Sequence, residues 1–153
     1  MATTATTTAT GGRTSTGAAV RAAEFRAALD EALATADADP RIGPMIGATK
    51  LRLRLAFSDC GLTVNIAASE GEHNLTWWFG EDPGWSPKLE LEMDAAVANR
   101  YLQGRESLAI AIARGQVRVR GESRTALLYL PATRLLCEPY RQVVEAGYPA
   151  LAG

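Results

Sequence analysis

Between Leu51 and Ser58 the chain alternates strictly: Leu51, Leu53, Leu55 and Phe57 are separated by Arg52, Arg54 and Ala56 and followed by Ser58. A period of two predicts a β-strand with one buried and one wet face. After the turn Asp59-Cys60-Gly61 the alternation resumes, with Leu62, Val64, Ile66 and Ala68 against Thr63, Asn65 and Ala67. His73 to Phe79 then supplies a third strand, so the three form a meander in which Trp77 and Trp78 point to opposite faces. Lys88 to Met93 and Gln116 to Arg120 alternate in the same way and predict strands four and five.

The helical period appears elsewhere. Phe25, Ala28, Leu29, Ala32, Leu33 and Ala36 recur at three and four within Ala18 to Ala36, with charged residues on the other side. Asp39-Pro40 and Gly43-Pro44 read as the stop and the connection that follows. Asp94 suits the cap of a helix from Ala95 to about Gln103, ended by Gly104. Leu108 to Ala113 fits either period, and its three alanines and the following Gly115 favour a short, wholly buried helix. Pro131 is expected to divide the last helical region, with Leu127, Leu128 and Leu130 before it and Leu135 and Leu136 after it. Outward-facing Arg52, Arg54, Arg118 and Arg120 match Glu90 and Glu92 if strand four lies between strands one and five.

Composition narrows the function. With 153 residues, 47% hydrophobic and 22% charged, the chain can bury a core without staples. Its two cysteines, Cys60 and Cys137, have no metal or redox spacing, which fits a reducing compartment and a cytoplasmic location. A formal net charge of -1 gives no general attraction to nucleic acid, and the longest apolar run, Leu108 to Ala113, is too short to span a bilayer. Residues 1–17 are mostly Thr and Ala and read as a disordered leader before a domain at 18–148.

The succession from Lys88 to Gly121 resembles the sterol carrier protein 2 family. A strand ending in Met93-Asp94, a short helix reaching Gly104, an Ala-rich helix, Gly115-Gln116-Val117-Arg118-Val119-Arg120-Gly121 and a Leu-rich helix come in that family's order. With the N-terminal helix and meander, the resemblance covers about Ala18 to Tyr140. It implies an α+β fold: a five-stranded, mixed, mostly antiparallel sheet in order 3-2-1-4-5, helices on one face, and an apolar tunnel between. The implied function is to bind, shield or transfer a fatty acyl, sterol or similar guest, without a cofactor or metal. The final Leu151-Ala152-Gly153 lacks the peroxisomal tripeptide found in some of that family.

Within that implied tunnel the expected lining is Trp77, Trp78, Phe79, Trp85, Met93, Leu108, Ile112, Leu127, Leu128, Leu135 and Leu136, large apolar groups that equally suit an ordinary core. Trp85, in a Gly- and Pro-rich loop, is also a candidate contact for a protein partner or a membrane surface. A competing reading is a small enzyme, of cyclase or isomerase type, using the same cavity on a hydrophobic substrate. Its candidate polar groups are His73, Asp59, Tyr101 and Tyr129. One histidine makes no zinc cluster, and the carboxylate of Asp59 beside Cys60 disfavours a thiolate.

Overall fold

The five alternating segments form one sheet, in a computed structural model that describes residues 22–69 and 71–152. Its strands are β1 (Arg52–Phe57), β2 (Leu62–Ala68), β3 (Leu75–Phe79), β4 (Leu89–Met93) and β5 (Val117–Gly121). They lie in the order β3-β2-β1-β4-β5. Only the central β1 and β4 run parallel, so a long crossover separates the meander from the second half of the sheet. The expected leader, 1–17, and residues 18–21 of the first expected helix lie outside the described residues.

Register fixes which side chains share a face. Leu53, Leu55 and Phe57 stand beside Ile66 and Val64 on one side, and Leu89, Leu91 and Met93 on the other. All of these are buried beneath the helices. On the opposite face Arg54, Glu90 and Arg120 lie in one row, and Glu92 faces Arg118 with a 3.6 Å ion pair. This is the charge register expected from the sequence; each such exposed pair adds only about 0 to 1 kcal/mol.

Helix α1 (22–38) lays its buried stripe of Phe25, Leu29 and Leu33 on the sheet, with the Phe25 ring edge-on to Phe57 at 4.8 Å. Its last turn grips β3. Asp37 accepts hydrogen bonds from the backbone N–H of Asn74 (2.7 Å) and Leu75 (2.9 Å), and its other oxygen meets His73 Nδ1 at 2.9 Å. Helix α4 (Leu108–Ala113) packs on β5 and α5 (Ser123–Arg134) on β4 and β5, α6 (Cys137–Gly147) packs against α5 and α3 (Ala95–Leu102), and α7 (Pro149–Ala152) follows against α6.

Several local expectations are corrected. The stretch read as a connection contains α2 (Ile42–Gly47). Pro44 is its third residue, where the missing N–H would have had no intrahelical partner, and Asp39 Oδ1 receives the N–H groups of Arg41 and Ile42 instead. Asp94 makes no side-chain cap on α3; Asp59 Oδ1, from the β1–β2 turn, accepts from Ala95 N at 2.9 Å. The helix α5 continues through Pro131 to Arg134. The carbonyl that loses its donor there belongs to Leu127, on the solvent side, where water can serve it. The chain turns instead at Leu135-Leu136, and Pro139 occupies the tolerant first turn of α6. Finally, α4 is not wholly buried: Leu108 and Ala111 face inward while Ile110 is 50% exposed.

Candidate functional site

A mostly apolar cleft lies between helices. It has a volume of about 850 Å³ and is bounded by α4, by α5, by the 103–107 segment and by the start of α6. No strand residue lines it, so the space expected between helices and sheet is here a solvent-facing cleft in the helical layer itself. Its volume is within the range of about 300–1,000 Å³ usual for small-molecule sites.

The walls follow from helical spacing. Leu108 and Ile112, four apart on α4, form one side; Ala126, Leu127, Leu130 and Pro131 on α5 form the other. Ser107 starts α4 by accepting from Ile110 N at 3.4 Å, which orients the first wall. The second is set by the buried Tyr129, Ala132 and Thr133 beneath it. Leu127 keeps 77% of its surface exposed even though it lines the cleft.

Tyr101 and Cys137 add a hydroxyl and a thiol to the lining. Tyr101 Oη and Thr133 Oγ1 are 2.7 Å apart, and Thr133 donates to Leu130 O at 2.7 Å, leaving the Tyr101 hydroxyl as the donor in the shared bond if Thr133 keeps that acceptor. Burial pushes the Tyr101 hydroxyl up to about 12, with the Thr133 hydrogen bond opposing it. Burial also raises the Cys137 thiol, which donates to Tyr101 O at 3.6 Å. Both groups therefore stay protonated at neutral pH, offering a guest dipoles rather than charge. At the mouth, Glu106 is engaged by Arg100 (2.7 Å), while Arg105 reaches Gln103 and the carbonyl of Ala152.

Among the sequence-selected residues, Tyr101, Leu108, Ile112 and Leu127 come together here. Others do not. Trp77 and Phe79 are on the helix-covered face of β3; Trp77 donates to Asp30 at 2.8 Å, and the Arg26 guanidinium sits 4.3 Å above the Phe79 ring. Met93 and Leu136 are buried in the core, Leu135 packs partly against it, and Leu128 points to solvent, 53% exposed. Tyr129 is buried and donates to Lys50 O at 3.2 Å. His73 is held by Asp37 and Asp59 by Ala95, both away from the cleft walls.

Trp78, on the face opposite Trp77 as expected, and Trp85 lie on the side of the sheet that no helix covers among the described residues, and neither lines the cleft. Their rings meet edge to face at 5.0 Å, and Arg52 and Arg54 lie 5.3 and 5.6 Å from the Trp85 centroid. Under them Asn65 is fully buried, accepting from Arg54 Nε at 2.9 Å and donating to Gly80 O at 2.6 Å. The 80–88 loop is thus fastened to the sheet, and Trp85 serves that attachment. What the sequence reading missed at the cleft is Ala126, Leu130, Pro131 and Cys137; the four-residue spacing of Ala126 and Leu130 was the available signal.

No protein-family model matches the chain, and no curated protein does. Solved structures do. A conserved hypothetical protein from Thermus thermophilus, described as possibly a sterol carrier protein, superposes with TM-score 0.56 at 18% identity, covering 76% of this chain and 86% of that one. A crystal structure of sterol carrier protein 2 superposes with TM-score 0.54, also at 18% identity, covering 76% of this chain and 95% of its own. The chain also spans 14% of the length of a sec-alkylsulfatase from Pseudomonas sp., at TM-score 0.49 and 15% identity over 59% of this chain.

Proposed function

We propose that this chain, whose fold is that of sterol carrier protein 2, binds a fatty acyl, sterol or similar apolar molecule in the cleft between α4 and α5 and shields or transfers it. The observation that carries this reading is a largely aliphatic cleft of about 850 Å³ whose wall residue Leu127 remains 77% exposed. A single exposed leucine is ordinary on a protein surface, but one that lines an aliphatic cleft offers apolar area that a guest can remove from water. Burying about ten methylenes at roughly 0.8 kcal/mol each yields ~8 kcal/mol gross, from which association removes at least ~4 kcal/mol. The resulting affinity is millimolar to micromolar, with selection mainly by size.

The enzyme reading has less support. Of its four candidate groups only Tyr101 lines the cleft, and its raised pKa leaves it a poor base at neutral pH. The carrier reading is tested by titrating the protein with a fluorescent fatty acid. Ile112→Asp places a charge in the apolar wall and Ala126→Trp fills the space, so each is expected to weaken binding at least about tenfold. Thermal melts check that both variants are folded. No uptake by the unsubstituted protein, or equal uptake by folded Ala126→Trp, would remove the proposal.

A further inference from the structure

The outer face of α5 has a pattern that its packing does not require. Arg124, Leu127, Leu128, Pro131 and Arg134 recur at intervals of three and four, and all five are exposed. Two leucines and a proline thus form a stripe with an arginine at each end. Across the cleft α4 exposes Ala109, Ile110 and Ala113, and Arg114 follows it. Among the described residues four large hydrophobic side chains are exposed, and three of them, Ile110, Leu127 and Leu128, belong to these two helices.

Charge gathers in the same part of the chain. From Arg100 to Arg134 there are seven arginines against only Glu106 and Glu122, although the whole chain carries a formal net charge of -1. Glu106 is occupied by Arg100, and Arg118 pairs with Glu92 on the sheet. Glu122 precedes α5 and is the remaining acid of this stretch. None of Arg114, Arg124 and Arg134 belongs to an ion pair among the described residues.

We infer that α4 and α5 together form a docking surface for an anionic phospholipid bilayer. Ile110, Leu127 and Leu128 enter the boundary between headgroups and acyl chains, while Arg114, Arg124 and Arg134 lie among the phosphates. An acidic protein would answer the arginines but would need a matching apolar pocket for the aliphatic groups; a bilayer supplies both at once. The cleft opens beside the stripe at Leu127, and here the inference rests on the proposed carrier function: a guest can pass between bilayer and cleft with little exposure to water.

The test is cosedimentation of the full chain with vesicles of phosphatidylcholine alone or with about one-third phosphatidylglycerol. The expected result is binding to the anionic vesicles that weakens with added salt, each arginine being worth about fivefold. The Arg124→Glu/Leu128→Ser variant alters two residues outside the cleft walls, so it is expected to lose at least tenfold in vesicle binding while keeping its affinity for the fluorescent fatty acid. Reversing Arg41 and Lys50 to Glu is the control for charge alone and should lose clearly less. The inference is overturned if the unsubstituted chain ignores anionic vesicles at low salt, if the Arg124→Glu/Leu128→Ser variant binds them equally, or if ultracentrifugation shows this face closed in a dimer that the variant separates. Vesicle binding without fatty acid uptake would overturn the carrier proposal and leave the docking surface standing.

Discussion

Gly121→Val is expected to destabilise the protein by about 3 to 5 kcal/mol, a large part of the ~5–15 kcal/mol that holds a domain of this size together. Gly121 ends β5 with φ 139°, and a Cβ there would stand 2.6 Å from Lys88 O and 3.0 Å from Leu89 Cδ1. The first of those atoms is backbone at the entry to β4, immediately before Leu89, and cannot swing aside. The residue also launches α5, so the strain is passed to the helix that forms one cleft wall. Gly115→Ala separates the two contributions, because Gly115 has φ 74° but nothing within 4 Å of its would-be Cβ. That change should lower stability by only about 1 to 2 kcal/mol in urea unfolding. Equal midpoints for the two variants would show that the close approach to Lys88 is not what requires glycine.

Asp37→Ala is the second large change, with an expected loss of about 3 kcal/mol. The carboxylate is 9% exposed and serves two backbone N–H groups of β3 as well as His73. Burial works to raise its pKa, but the hydrogen bonds from Leu75, His73 and Asn74 together outweigh it, and the net shift is downward from 3.8. A depressed folded-state pKa means that the contribution is fully present above the unfolded value and lost as pH falls through the folded one. The stability difference between the unsubstituted protein and Asp37→Asn should therefore shrink below pH 4, as the Asp37 carboxylate takes up its proton. A difference that stays unchanged below pH 4 would show that the charge of Asp37 is not what holds β3.

The strands were legible because alternation is a local property that register preserves: Leu53, Leu55 and Phe57 are buried while Arg52 and Arg54 are less so. The placing of β4 between β1 and β5, which the family resemblance implies, agrees with the charges of Arg54, Glu90 and Arg120. A period of two separates faces without saying which one a loop will cover, and so Trp78 and Trp85 were grouped with Trp77. The prolines misled for a related reason. Pro44 and Pro131 each lack a donor, but whether that matters depends on the place in the helix and on access of water, both set by the tertiary structure. The cleft was half legible. Leu108 and Ile112 were marked by spacing, whereas the outward turn of Leu127 and Leu128 contradicts the rule that apolar residues go inside and becomes visible only once Tyr129, Ala132 and Thr133 are seen to claim the inner side of α5.

The parallel pairing of β1 with β4 has a kinetic consequence. The β1–β2–β3 meander is closed by short turns and can assemble early, yet one flank of β1 then presents unsatisfied amide and carbonyl groups until the chain has travelled through the 80–88 loop and returned. During that interval the row of Leu53, Leu55 and Phe57 adjoins an open strand edge, and the charges of Arg52 and Arg54 on the other face disfavour pairing with a second nascent copy.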